Sequence, residues 1–154
     1  MTIFEAKEYD FRKARRRKII IAVVIGVVIV LGALAWVFRN YPEELVVQHF
    51  MTDLQHGDYK AAYGLWIADK NWEQHPQQHS QYPFADFYRD WGPYGDWGAI
   101  KTFHIQGSVV PSDSYNSGNG VVVSVMINGR KQPAGIWVTK KDHSMTFSPF
   151  DVVQ

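Results

Sequence analysis

The 154-residue chain contains no cysteine. Disulfides, thiolate zinc sites and thiol nucleophiles are thereby excluded, and stability must come from packing. Between Ile19 and Phe38 charge is also missing, and the one polar side-chain atom there is the indole nitrogen of Trp36. Twenty residues at ~1.5 Å rise extend about 30 Å, the thickness of a bilayer's hydrocarbon core. A soluble core helix would show a polar stripe at each turn, and this run has none, so residues 19–38 are expected to form a transmembrane helix. The chain also lacks Asn-x-Ser/Thr acceptor sites, which agrees with a bacterial source.

The charges that are present divide unevenly. Residues 1–39 hold eight basic and three acidic side chains, a net +5, which leaves −4 on the remainder of a chain whose total is +1. Residues 1–18 form a basic segment, with Arg15, Arg16, Arg17 and Lys18 set against the apolar run and Trp36 at its far end. Positive residues resist translocation, so the N-terminus is expected in the cytoplasm and the C-terminal part outside, with the chain in the cell inner (cytoplasmic) membrane. Ala33-Leu34-Ala35 keeps a second reading open, a signal peptide cleaved after Ala35. Both readings export the C-terminal part. A mildly acidic exported domain does not suit nucleic acid as a partner.

Residues 42–154 are expected to fold as one extracytoplasmic domain. Val46, Val47, Phe50 and Leu54 recur at helical spacing over residues 43–56, Gly57 offers a left-handed cap, and Asp58 can cap a second helix. Tyr59, Ala62, Tyr63 and Trp66 would be the buried side of that helix. Residues 70–83 have no periodicity and read as a loop, and a third short helix is expected over 83–91. From Ile100 the period changes to two. Phe103, Ile105 and Val109 alternate, then Val121, Val123, Val125 and Ile127, with Asn128-Gly129 as a tight hairpin turn and two shorter strands after it. The order of elements argues for an α+β fold: an N-terminal transmembrane helix, then a helical segment packed on a curved antiparallel sheet, cone-like in shape.

The stretch Leu45–Trp66, with its amphipathic first helix, Gly57-Asp58 joint and Ala61-Ala62-Tyr63 in the second helix, resembles the nuclear-transport-factor-two-like superfamily in a membrane-anchored bacterial form. The resemblance spans about residues 42–150 and implies helices and a bent sheet enclosing a cavity. Some relatives use that cavity for catalysis, as ketosteroid isomerase does, and others serve as dimerising or docking modules. A basic segment, one span and an exported domain of this kind is similar to assembly-scaffold subunits of bacterial type IV secretion systems and to accessory proteins of actinobacterial lipid-import complexes.

Catalysis in such a cavity needs an inward ionisable pair. Asp53, Asp90 and His104 are the available groups. His104 has parity opposite to Phe103 and Ile105 and should face outward, and Asp53 should be solvated. Glu73, His75 and His79 suggest a metal only weakly, since Pro76 interrupts a regular helix between the histidines. No metal and no cofactor are expected. The doubled Asp-Trp-Gly of residues 90–98 is expected to be a structural corner first and a contact site second. Trp91, Trp97, Met126 and Trp137 are therefore the expected ligand or partner contacts. On the outer sheet, Thr102, His104, Ser124 and Thr139 join Met126 and Trp137. The expected function is a non-enzymatic docking or oligomerisation module held by the lipid bilayer, with a protein partner or further copies of itself. The alternative is a binder of small hydrophobic ligands, or an isomerase-like enzyme, using the cavity.

Overall fold

A computed structural model describes residues 11–111 and 118–148, with side chains from Arg15 onward. Parts of the expected basic segment, of the polar loop around residues 112–117 and of the last strand lie outside the described residues. The chain divides into two units, Met1–Arg39 and Asn40–Gln154.

In the first unit, α1 runs Phe11–Val37. The Phe38 amide donates a hydrogen bond to the Leu34 carbonyl at 2.9 Å and closes its last turn. Every described side chain from Arg15 to Arg39 is exposed, as an unbroken apolar surface requires when no stripe is set aside for a protein core. The helix is long and apolar enough to cross a membrane. At its C-terminal end the Arg39 guanidinium lies 5.6 Å from the Trp36 ring centre, a cation–π contact.

The second unit is α+β. Helix α2 (Tyr41–His56) has Pro42 in its first turn, and α3 (Tyr59–Trp66) comes after Gly57, whose φ of 76° places it in the left-handed region. Asp58 accepts the Ala61 amide at 3.1 Å and caps α3. Val47, Phe50, Met51 and Leu54 form the buried stripe of α2; Val46 lies at its edge. Helix α3 is shorter than its apolar pattern, because Ala68 turns left-handed at φ 55°. The segment expected to be irregular contains two 3-10 turns, Trp72–Gln74 and Pro76–His79, and α4 comes next at Phe84–Trp91.

Among the described residues, four antiparallel strands, β1 (Phe103–Val109), β2 (Gly120–Ile127), β3 (Ala134–Thr139) and β4 (Met145–Phe147), pair in sequence order. Asn128 and Gly129 take φ 51° and 68° in a tight turn closed by the Arg130 amide on the Ile127 carbonyl at 3.0 Å. The connection is not the expected two-residue hairpin: Val125 lies opposite Ala134, so residues 128–133 join β2 to β3. Val121, Val123, Val125 and Ile127 are all fully buried against the helices. The expected inward place of Val109 is incorrect. The β1–β2 register shifts between Ile105 and Gly107. The extra residue reverses parity beyond it, so Ser108 turns inward and Val109 outward, 64% exposed.

Candidate functional site

The space between helices and sheet is packed with rings. Phe50 sits 5.3 Å from Trp66, 6.2 Å from Phe87 and 5.1 Å from Trp91, centroid to centroid. Trp66 and Trp91 both reach Phe147 on β4. Edge-to-face and offset contacts of this kind add to the burial energy of each ring. Glu43 is the buried acid among the described residues, 5% exposed, and its Oε2 has no hydrogen-bond partner. No other acid, histidine or lysine among the described residues is buried beside it, so an inward acid–base pair is absent there. Asp53 lines a groove of about 440 Å³ on the α2–α3 surface with His49, Lys60 and Lys70. Burial, then the nearby Asp58, raises its carboxyl above the ordinary range. His104 is exposed on the outward side of β1, opposite Met126.

Among the described residues, the outer sheet face carries an apolar row. Val109 pairs with Val122, and Val122 pairs with Trp137, whose other neighbour is Thr146. Flanked in this way, Val122 is only 6% exposed although it points away from the core. The Trp137 indole lies over Gly120, where an added Cβ would meet Cζ2 at 2.3 Å. Met126 is on the same face, four residues further along β2 and half-buried. Ser124 and Thr139 are half-buried there too, while Thr102 precedes β1 and is exposed.

The Asp-Trp-Gly segment forms a corner. Trp91 is core, 1% exposed, and offers no surface to a partner. Trp97 stacks on it at 6.2 Å and is half-exposed, with the Arg130 guanidinium 5.0 Å from its ring centre. Asn128 secures this corner: its Oδ1 accepts the Lys101 and Thr102 amides at 2.8 and 3.3 Å. Its Nδ2 donates to the carbonyls of Trp97 and Ala99 at 3.2 and 3.0 Å. Asp90 accepts the Tyr82 hydroxyl at 2.9 Å. Burial, then that bond, raises the Tyr82 phenol above its ordinary range. Of the four expected contacts, Met126 and Trp137 share the outer face, Trp97 lies at the corner, and Trp91 is interior. Val109 and Val122 were not expected there, and the bulge that exposes Val109 leaves no pattern to find.

Between α3 and α4 lies a second assembly, in which the expected pair His75 and His79 meets Asp69 rather than Glu73. Asp69 Oδ2 is 2.7 Å from His75 Nε2 and 2.9 Å from His79 Nε2. The ligand atoms of all three residues lie within 4.8 Å of one another. Glu73, which the spacing suggested, is instead paired with Lys60 at 2.6 Å. The hydrogen bond from His79 is the main cause holding the Asp69 carboxyl below the ordinary range.

Compared with protein-family profiles, curated proteins and solved structures, the chain matches none.

Proposed function

We propose that this chain is a single-pass protein of the cytoplasmic membrane, oriented with its N-terminus inside. Residues 42–154 then act outside as a non-enzymatic docking or oligomerisation module of the nuclear-transport-factor-two-like kind. The observation that carries the reading is the contrast between the two sides of the sheet. The inner side is filled by Phe50, Trp66, Phe87 and Trp91, with no acid–base pair buried among the described residues. The outer side bears the row Val109, Val122 and Trp137, an apolar strip of the sort that anchors protein contacts. The exposed apolar length of α1, with Arg15, Arg16, Arg17 and Lys18 at one end, supports the anchor and its orientation.

The lack of cysteine makes the test clean. A Thr146→Cys variant should react with a membrane-impermeant maleimide in intact cells, and labelling only after lysis would overturn the orientation. A photo-crosslinking residue replacing Trp137 or Met126 should join the domain covalently to a partner or a second copy in membranes, whereas one at exposed Lys70 should not. Equal crosslinking from both faces, or none from the sheet, would overturn the docking surface.

A further inference from the structure

We propose that Asp69, His75 and His79 bind one divalent transition-metal ion of the zinc class in the loop between α3 and α4. Two imidazoles and a carboxylate are a donor set that suits zinc, and three protein ligands leave a coordination position open to water. All three side chains are partly exposed, the imidazoles of His75 and His79 by 36% and 21% and the Asp69 carboxylate by 20%, so an ion has a path in.

The arrangement is built by backbone geometry. Left-handed Ala68 ends α3 and turns Asp69 back, so that its amide donates to the Gly64 carbonyl at 2.8 Å. Asp69 Oδ1 accepts the Asn71 amide at 2.9 Å, which orients the carboxylate without help from the histidines. Oδ2 is left to face both rings. Pro76 starts the 3-10 turn that presents His79. Trp72 holds the loop to the domain, donating to the Lys60 carbonyl at 3.3 Å, meeting Tyr63 edge-on at 4.8 Å and stacking on Phe84 at 5.2 Å. Donors on a supported frame of this kind need little ordering when an ion arrives.

The donor separations lie close to those a zinc ion sets, with all three ligand atoms within 4.8 Å of one another. Tetrahedral zinc with bonds of ~2.0–2.2 Å sets its donors about 3.3 Å apart. The two nitrogen–oxygen distances of 2.7 and 2.9 Å therefore open by roughly half an ångström as the ion enters. Side-chain rotation supplies that movement. Glu73 stays with Lys60 and is not a ligand.

The test uses the untagged full chain in non-ionic detergent, stripped of metal, titrated with zinc chloride by calorimetry and with cobalt(II) by visible absorption. One equivalent of zinc should bind saturably, and cobalt should give the intense visible bands of a low-coordinate site. Asp69→Asn, which keeps the acceptor for the Asn71 amide, and His75→Ala and His79→Ala should each weaken zinc binding. The loss should be at least the about 10- to 100-fold that attends removal of an outer-shell partner. His104→Ala and His143→Ala should bind as the parent does. Circular dichroism checks each fold, and the more exposed His75 keeps the test valid if Asp69→Asn perturbs the loop. Absence of saturable binding, or binding that survives all three ligand substitutions, would overturn the proposal.

Discussion

The indole of Trp91, at the end of α4, lies parallel to the ring of Phe147 on β4, with 5.6 Å between centroids and 2° between planes. This stack joins the last helix to the last strand, and Trp91 also meets Phe50 edge-on. Its Nε1 is buried without a hydrogen-bond partner. Trp91→Ala should therefore cost about 3–5 kcal/mol, the range for emptying a large aromatic site. Trp91→Phe keeps most of the stack and removes an orphaned donor, so its cost should stay below about 1.5 kcal/mol. Chemical denaturation of the two variants, monitored by tryptophan fluorescence, checks the ordering. Equal losses would mean that the indole nitrogen is satisfied in solution.

Asn128 separates turn chemistry from tertiary bonding. It takes a left-handed φ of 51°, and its side chain makes four hydrogen bonds to residues 97–102. Asn128→Gly keeps the backbone conformation easily and loses all four bonds. The expected destabilisation is about 1–3 kcal/mol, and Trp97 should become more accessible to a fluorescence quencher. A neutral substitution would show that the Asn-Gly turn alone secures the corner.

The bulge in β1 predicts opposite responses at two valines that a simple alternation treats alike. Val109 is 64% exposed and Val123 fully buried. Val109→Thr should change stability by no more than about 0.5 kcal/mol. Val123→Thr should cost about 1–3 kcal/mol for its buried hydroxyl. Thermal melts of the two variants decide between the observed register and an unbulged one.

That pair marks where sequence reading succeeds and where it stops. Val121, Val123, Val125 and Ile127 alternate without interruption, and the buried stripe of α2 repeats at helical spacing, so both show in the pattern of residues. An inserted residue in β1 does not announce itself, because Gln106, Gly107 and Ser108 are all compatible with either parity. The place of Asp69 beside His75 and His79 stays hidden for a related reason. It depends on a left-handed Ala68 and on two 3-10 turns, neither of which leaves a periodic signal. Pro76 argues correctly against a regular helix, but a proline-initiated 3-10 turn brings the two histidines to one carboxylate anyway.

High pH should loosen the helical side of the domain. The Tyr63 hydroxyl donates to the Tyr82 carbonyl at 2.7 Å, and the Tyr82 hydroxyl donates to Asp90 at 2.9 Å. Burial is the main cause raising both phenols above their ordinary range. The folded protein then keeps protons that the unfolded chain releases near about pH 10. Stability from this source is complete below that pH and falls above it, by up to about 1.4 kcal/mol per pH unit for each tyrosine. Tyr82→Phe should start about 1 kcal/mol less stable at neutral pH and then decline less steeply. Denaturant midpoints measured between neutrality and about pH 11 check both parts. Parallel pH profiles for the parent and Tyr82→Phe would rule out this source.

Glycine serves two different needs in the Asp-Trp-Gly corner, and asparagine tells them apart. Gly98 has a φ of 66° with open space where a Cβ would stand. Gly95 is confined instead: a Cβ there would sit 2.3 Å from the Asp90 carbonyl oxygen and 2.6 Å from that of Arg89. Asparagine tolerates the left-handed region better than other side-chain-bearing residues, but it cannot shed its Cβ. Gly98→Asn should therefore cost less than about 1 kcal/mol. Gly95→Asn should cost about 1–3 kcal/mol, as an overpacked site does, and should shift the end of α4. Thermal unfolding, read with the near-ultraviolet dichroism of Trp91 and Trp97, separates the two. If Gly95→Asn proved the milder change, the chain would have to leave α4 by a different path, and the stack of Trp97 on Trp91 would be lost with it.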